Sequence, residues 1–441
     1  MPFVTVSSGV QLHYEISYCT EGDVGPTERP WLMVVHPLLM DSSYLKAFCD
    51  HPAIRASFNQ VLFDARHHGR SMDPPSKPVD LFSLAADFAI GLDKLQIQAV
   101  HAFGSHPWSS EIVLRMAAVF PSKVLSLCLC SIPPPILEPY VERAFQECFD
   151  ACAHPESVEE WDEGVGAVQW FNFGEPSLVD RDILDEWASI VVRRIPPSRA
   201  SNSCLCVLPF LRACKVLKSD FIPDGLRPEV EIPILILRGG NDMIFTEAGS
   251  RGRLDEFPFH EHSTVKTIED APSTFIKTHP QETQAYYLSW IQELLVDGKY
   301  SCKHNPVTTC WRSSLEKLAH HFKDDSIATR DPSQSDSYSR QTPEETTFFA
   351  HMLAELSAGQ VKTFSLFGGG APEPWTDASF QEKVPWRFSS RFDEARLSSR
   401  GPLLIQPAEH NYEVEEIKIK TSVEVCYHTS NIVGFPARSI R

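Results

Sequence analysis

The sequence predicts an α/β fold in which a mostly parallel sheet is covered by helices on both faces. Three observations predict it: the apolar runs are short, segments with helical spacing alternate with them, and turn residues lie between them. The runs at residues 31–35, 60–63 and 99–103 are almost continuously apolar, as strands buried on both faces are. Residues 81–95 and 111–120 carry the helical spacing.

The other core elements follow the same pattern. Residues 10–18 alternate polar and apolar side chains, which is typical of an edge strand. Pro121 ends the second helix, and residues 124–130 return as a strand. Residues 232–237 predict another buried strand, and residues 281–295 predict an amphipathic closing helix.

A helical insertion divides the predicted core. Residues 133–231 open with three prolines and are rich in Trp, Phe and acidic residues, with helical spacing at 138–152 and 180–194. This layout predicts a helical cap over the sheet. The core then comprises residues 1–132 and residues 232–297.

The C-terminal third predicts an appendage rather than a second catalytic domain. Residues 298–343 are expected to be a disordered linker, because 324–343 are polar, rich in Ser and Asp, and poor in aromatic residues. Residues 344–441 predict a small extension. The motif Thr342-Pro-Glu-Glu345 predicts a helix start, and alternation over 417–427 predicts one strand, which together make a thin core.

The charge balance excludes two classes of partner. The chain has 58 acidic and 40 basic residues and a formal net charge of −18. Such a surface repels phosphate backbones and anionic membranes, so we expect no nucleic-acid and no membrane partner. No apolar run approaches the ~18–20 residues that span a bilayer, and residues 1–14 lack the order of a signal sequence. We expect a small-molecule ligand or substrate, and the sequence leaves the oligomeric state open.

The cysteines predict a reducing compartment rather than a metal site. Of 12 cysteines, four form the C-x-C pairs Cys128/Cys130 and Cys204/Cys206, whereas zinc sites favour two to four intervening residues. We therefore expect reduced thiols, no metal and no cofactor. A cytoplasmic location follows, with a peroxisomal one as the alternative, because residues 439–441 read Ser-Ile-Arg and not Ser-Lys-Leu.

Three motifs resemble those of α/β-hydrolases. His36-Pro37 follows the first buried strand, where that family usually has His-Gly, and Gly239-Gly-Asn-Asp242 follows a later strand. Asp64-Ala-Arg-His-His-Gly-Arg-Ser71 is similar to the family's Asp-x-Arg-Gly-His-Gly-x-Ser. The resemblance covers about two-thirds of the chain and implies the α/β-hydrolase fold with a helical cap. More narrowly, residues 36–44 and 104–110 are similar to a fungal subgroup of hydrolase-like proteins linked to toxin and secondary-metabolite biosynthesis.

The resemblance implies a catalytic nucleophile at the turn between strand 99–103 and its following helix. Counting back from Pro121 by the family's usual spacing places Pro107 there, and proline has no nucleophilic atom. A shift of one residue would place His106 at the turn, and a shift of two would place Ser105 there. His106 is the candidate acid/base residue and Ser105 the candidate nucleophile. The alternative is that both merely cap the following helix.

The resemblance also implies a histidine base and a carboxylate acid beside the nucleophile, and the sequence supplies a candidate only for the acid. Ser273 stands where the family's histidine belongs, and serine cannot hold a proton near neutral pH. Asp242 resembles the family's carboxylate, which orients that histidine, and is our third candidate catalytic residue. A helix cap is the alternative role for Asp242.

Four further residues are predicted to bind the substrate at the opening of the site, here called the mouth: His36, Leu38, His67 and Trp108. The Leu38 amide could serve an oxyanion hole, although Pro37 removes one donor. Arg66 and His68 are expected to brace loops. Trp108 and the aromatic residues of the cap favour an apolar ligand cavity, with ordinary core packing as the alternative.

Three functions remain open from the sequence. The first is an atypical enzyme acting on an acyl, polyketide or peptide-derived intermediate in secondary-metabolite or toxin biosynthesis, with acid/base groups His106, His36 and Asp242. The second is a non-catalytic binding or accessory protein on a hydrolase scaffold, and the third is an ordinary serine esterase. Convergence of the three acid/base side chains would favour the enzyme. A site filled by side chains would favour the binding protein.

Overall fold

The computed structural model describes the chain in separate stretches. They are residues 2–19, 29–72, 79–134, 141, 144, 158–194, 226–227, 230–242, 244–296 and 309–347. All of them belong to one unit, residues 1–404, and a second unit, residues 405–441, lies outside the described residues.

Eight strands form the central sheet. Their bounds are β1 Phe3–Ser7, β2 Val10–Ser17, β3 Trp31–Val35, β4 Asn59–Phe63, β5 Val100–Gly104, β6 Val124–Cys130, β7 Ile234–Gly239 and β8 Thr264–Ile268. Their spatial order is β1-β2-β4-β3-β5-β6-β7-β8. The pairs β1/β2 and β2/β4 are antiparallel, and the others are parallel. The predicted mostly parallel sheet is confirmed.

Helices cover both faces of this sheet. Their bounds are α1 Lys46–Cys49, α2 Pro52–Ser57, α3 Leu81–Lys94, α4 Pro107–Val119, α5 Val158–Phe173, α6 Arg181–Arg194, α7 Glu247–Leu254, α8 Pro280–Val296 and α9 Trp311–Phe322. Phe103 of β5 is in register with Leu62, so it lies on the opposite face from Phe63. Tyr287 of α8 contacts Phe103 (5.2 Å between ring centroids), whereas Phe88 of α3 contacts Phe63 (5.6 Å). These contacts place α3 and α8 on opposite faces.

Helix α4 is held in place by a buried ion-pair network. Glu111 pairs with Arg115 one turn later and with Arg253 of α7 (2.8 Å), and all three side chains are buried. Burial alone would raise the pKa of the Glu111 carboxyl, but the two guanidinium groups bring that pKa below its usual value. The network therefore fixes α4 against α7.

The described part of the predicted cap consists of α5 and α6. The two helices pack together, and Phe173 meets Trp187 edge to face at 6.1 Å between centroids. Both rings are buried. The domain bounds 133 and 231 stay predictions.

The C-terminal segment corrects one prediction. Residues 298–343 were expected to be disordered, yet residues 309–343 are ordered, and residues 298–308 lie outside the described part. Tyr338 is fully buried against Phe120 (5.0 Å between centroids), and Phe322 lies against Phe82 (5.2 Å). The segment is polar overall, but it carries a few well-spaced apolar side chains. These are enough to anchor it on an apolar surface.

The extension beyond it is described only at its start. Thr342 and Glu345 form the predicted capping box, with hydrogen bonds of 3.0 and 3.1 Å. The predicted helix through Gly359 and the strand at 417–427 lie outside the described residues. Within the described stretches, no helix combines the length and apolarity needed to cross a membrane. The same stretches hold no cluster of three or more His, Cys, Asp or Glu side chains fit for a metal ion.

Candidate functional site

The junction between β5 and α4 lies at the carboxyl edge of the sheet, where parallel α/β folds place their ligands. Ser105 is its first residue, and its side chain is buried. The Ser105 hydroxyl donates to the Val35 carbonyl oxygen of β3 at 2.6 Å. This hydroxyl is therefore committed to the backbone of the neighbouring strand.

His106 is the residue at the junction itself. It is the N-cap of α4, and Pro107 is the first residue of that helix. Pro107, which the count from Pro121 places at the nucleophile position, lies directly after this N-cap, and that placement stays a prediction. His106 has φ −159° and ψ 156°, which is relaxed extended backbone. The positive φ angles of described non-glycine residues occur elsewhere.

The His106 ring is fully engaged. Its Nδ1 accepts a hydrogen bond from the Trp108 amide (3.2 Å), so the ring proton lies on Nε2, which donates to Asn172 Oδ1 (2.8 Å). Burial lowers the pKa of His106 to about 4, although the bond to Asn172 opposes that shift. His106 is thus a neutral helix cap joined to cap helix α5.

Replacing His106 tests this capping role. In His106→Ala, the Trp108 amide and Asn172 Oδ1 lose a partner in a buried place, and we expect a loss of about 2–3 kcal/mol in the free energy of unfolding. His106→Asn keeps an N-cap acceptor and should lose about 1 kcal/mol less. Urea denaturation of both variants measures the difference. Equal losses would show that the cap bond contributes little.

Thr274 brings a third element to the junction. Its hydroxyl donates to Asn172 Oδ1 (3.1 Å), and its amide donates to the Asn172 carbonyl oxygen (2.9 Å). The preceding residue, Ser273, is buried, and its hydroxyl has no hydrogen-bond partner. Asn172 therefore connects the β5–α4 junction, the cap helix α5 and the loop after β8.

Asp242 lies in a turn that is hydrogen-bonded to the loop after β8. The Asn241 amide donates to the Ala271 carbonyl oxygen (2.9 Å), and a Cβ on Gly239 would lie 2.0 Å from the Pro272 oxygen. Asp242 Oδ1 accepts from the amides of residues 244 and 245 (3.0 and 2.9 Å), while Oδ2 is buried without a partner. Burial raises the pKa of this carboxyl.

The Ser131 hydroxyl is a candidate donor to the Asp242 carboxyl. A Ser131 bond would lower the pKa of Asp242. The hydroxyl has one proton, however, and donates it to the Ser273 carbonyl oxygen at 2.8 Å. Asp242 Oδ2 therefore keeps an unused acceptor.

Two histidines and a tryptophan pack together at the mouth with their rings tilted against one another. His36, His68 and Trp108 have ring centroids 5.1–5.8 Å apart. His36 Nε2 accepts from the Ala65 amide (3.0 Å), and its Nδ1 bonds the Pro37 carbonyl oxygen (2.7 Å). Burial lowers the pKa of His36. The indole nitrogen of Trp108 is buried without a hydrogen-bond partner.

The two remaining predicted residues differ in exposure. Leu38, the residue after Pro37 in the chain, is buried. His67 is half-buried, and its φ of 60° lies in the left-handed region that favours glycine. This φ explains why the family's motif has glycine there. The structure thus brings His36 and Trp108 together near His106, whereas the described hydrogen bonds of His106 and Asp242 go to different partners.

Comparisons with known proteins agree with this fold. A family model described as alpha/beta hydrolase fold matches residues 30–150. A hydrolase from Pseudomonas aeruginosa PA01 has 19% identity and a TM-score of 0.53, covering 66% of this chain and 97% of its own. The chain has the α/β-hydrolase fold.

Other solved structures with this fold lead to the same conclusion. The enol-lactonase from Burkholderia xenovorans LB400 (18% identity, TM-score 0.50) covers 66% of this chain and 100% of its own. The esterase from Exiguobacterium antarcticum (12% identity, TM-score 0.52) covers 66% and 98%. At these identities the likeness shows the α/β-hydrolase fold alone. No curated protein matches the sequence.

Asn172 and Thr274 are site residues that the sequence did not predict. Asn172 stands in Trp170-Phe-Asn-Phe173, where a lone polar residue in an aromatic helix is a signal of a buried hydrogen bond. Thr274 follows Ser273 directly and has no comparable signal. Its role depends on a contact between segments 102 residues apart in the chain.

Proposed function

We propose that this chain is a non-hydrolytic, small-molecule-binding protein built on the α/β-hydrolase scaffold. The observation that carries the proposal is the β5–α4 junction. Hydrolases of this fold hold their nucleophile in a strained turn at that point. Here the junction residue is His106, in relaxed extended backbone, with its ring bound to Trp108 and Asn172.

Stabilisation of an oxyanion would also fail at this junction. In the α/β-hydrolase fold, one oxyanion-hole donor is the amide of the residue after the nucleophile. After the junction residue His106 comes Pro107, which has no N–H, and the next amide, of Trp108, already donates to His106 Nδ1. Losing one such donor typically lowers kcat by about 10²–10³.

A general base for hydrolysis is also missing among the described groups at the junction. The Ser105 hydroxyl donates to a carbonyl oxygen and has no histidine partner. Ser273, next to Asp242's turn, supports the inference that the acid has lost its histidine. The pKa of His106, about 4, makes its ring a poor proton acceptor at neutral pH.

Buried polar atoms on the segments that follow β3, β5, β7 and β8 support a ligand. Those without a hydrogen-bond partner are Trp108 Nε1, Asp242 Oδ2, Ser273 Oγ and the Tyr44 hydroxyl. Each such atom costs about 1–3 kcal/mol when it stays unsatisfied. A small molecule with donors for the carboxylate and acceptors for the indole and phenol would satisfy them. An acyl, polyketide or peptide-derived molecule carries both kinds of group.

One observation favours a second candidate, an atypical enzyme of secondary-metabolite biosynthesis. Burial raises the pKa of Asp242, and its Oδ2 is unpaired, so this carboxyl could exchange a proton with a bound molecule. Such chemistry needs no serine nucleophile. A cytoplasmic site of action is part of either proposal.

Ester turnover and covalent labelling test the non-hydrolytic proposal. We expect no hydrolysis of p-nitrophenyl esters and no adduct with a serine-reactive phosphonate, in the wild type and in His106→Ser. The variant should stay inactive because Pro107 offers no amide and Ser273 no base. Phosphonate labelling of one serine that also abolishes turnover would overturn the proposal.

The binding part has its own readout. Native mass spectrometry of freshly purified full-length chain should show a small-molecule adduct that denaturation releases. A bare mass in the native spectrum, together with unlabelled serines, would leave a non-hydrolytic scaffold without a ligand.

A further inference from the structure

Residues 309–341, here called the strap, cross the outer side of α3 and α4. Ser339 Oγ and the Arg340 amide both donate to Asp80 Oδ2 at the start of α3 (2.7 and 2.6 Å). The Ser314 hydroxyl donates to the Val119 carbonyl oxygen at the end of α4 (2.9 Å). The strap is therefore attached at both helices.

Arg66 is the point where the strap reaches the interior. Its guanidinium is fully buried and pairs with both oxygens of Asp87 in α3 (2.6 and 2.7 Å). The strap adds the Ser335 hydroxyl (2.8 Å) and the Asp336 carboxylate (2.7 Å). Asp336 in turn accepts a hydrogen bond from Ser7 of β1 at 2.6 Å.

The backbone of Arg66 leads from this cluster to the mouth. The Arg66 carbonyl oxygen bonds His68 Nδ1 (2.7 Å), and His68 Nε2 accepts from the Leu39 amide (3.2 Å). Residues 36–41, here called the mouth loop, follow β3 and include Leu39. The other side of the His68 ring contacts Trp108 and His36.

Leu39 makes the mouth loop sensitive to this support. Its φ of 64° is unfavourable for a residue with a Cβ, and such a conformation persists only where surrounding contacts hold it. The bond from its amide to His68 is one of those contacts. A shift of His68 would therefore release the loop toward a relaxed conformation.

We propose that the strap sets the conformation of the mouth loop through Asp336, Arg66 and His68. The strap is then a positioning element remote from the candidate site. Arg66 links it to the packed rings of His36, His68 and Trp108. The proposal stands whether the mouth binds or transforms its ligand.

Hydrogen exchange with mass spectrometry on the full chain tests the coupling. Asp336→Ala removes one charge-assisted hydrogen bond from a buried guanidinium, so peptides covering residues 36–45 and 64–72 should exchange about tenfold faster. Peptides of β6 should exchange as in the wild type, which excludes global loosening. Asp331→Ala is the matched control, because Asp331 is exposed and accepts from Ser333 in its own turn.

Two further variants keep the test decisive. Ser335→Ala removes one neutral partner of Arg66 and should give a smaller change in the same two peptides. Asp336→Asn keeps an acceptor oxygen and serves if Asp336→Ala does not fold. Faster exchange confined to residues 309–341 and α3, with the mouth loop unchanged, would overturn the proposal.

Discussion

Lowering the pH from 6.5 to 5 is expected to destabilise the folded chain by about 3 kcal/mol through two buried histidines. Burial lowers the pKa of His101 to about 3 and that of His106 to about 4. In the unfolded chain both rings titrate near 6.5. Between these values the unfolded state binds more protons, so stability is present above pH 6.5 and declines as the pH falls.

The expected slope for each histidine rises from about 0.7 kcal/mol per pH unit at pH 6.5 to about 1.4 kcal/mol per pH unit well below it, until the folded pKa is reached. His36 adds to it, since burial lowers its pKa as well. Asp87 and Asp242 act in the opposite direction, because burial raises the pKa of each carboxyl and the folded state takes up their protons first. The net loss of stability on acidification is therefore smaller than the sum of the histidine contributions.

His101→Gln isolates one contribution. His101 bonds Ser126 through Nδ1 (2.8 Å), and its Nε2 is buried without a partner. Urea denaturation at pH 7.5, 6.5 and 5.5 should show that this variant loses about 1 kcal/mol less stability than the wild type between pH 6.5 and 5.5. His320→Gln, on the exposed side of α9, is the control and should keep the wild-type slope. Identical slopes for wild type and His101→Gln would contradict the expectation.

The sheet could be predicted because each of these strands has a recognisable local pattern of apolar residues. Continuous apolar runs such as 31–35 and 100–104 are found as buried parallel strands, and the alternating run 10–17 is found as an antiparallel one. The strap could not be predicted from its own polar composition. A sign of it lay elsewhere: α3 is buried along Leu81–Leu92, and a helix without a polar face needs a cover on its outer side.

The site was predictable in its residue types and not in its pairings. His106, Ser105 and Asp242 lie at the strand ends where the motifs place them. The placement of Pro107 at the nucleophile position stays a prediction, because a count from Pro121 assumes a fixed helix length, whereas cap geometry sets where α4 begins. The bond from His106 to Asn172 joins residues 66 positions apart, and local pattern carries no information on such a contact.

A chain ending at residue 297 is expected to lose most or all of its stability. The strap buries Leu315, Leu318, Ile327 and Tyr338 almost completely. Burial of such a side chain contributes about 1.5–3 kcal/mol, so the four contribute about 6–12 kcal/mol before the entropy of ordering the strap is subtracted. That range is comparable with the whole stability of a typical domain, about 5–15 kcal/mol. Truncation would also expose Phe82 and Phe120 on α3 and beside α4, and remove two partners of the buried Arg66.

Graded variants of the full chain separate lost packing from mere shortening. Tyr338→Ala should lower the free energy of unfolding by about 3–5 kcal/mol, as large-to-small changes of buried aromatic residues do. Glu316→Ala, at an exposed position of α9, should change it by less than about 0.5 kcal/mol. A truncated chain that unfolds at the same urea midpoint as the full chain, with Tyr338→Ala also unchanged, would mean that α3 and α4 need no cover. The all-round burial of those two helices argues that they do, because an apolar face left in water gains nothing from folding.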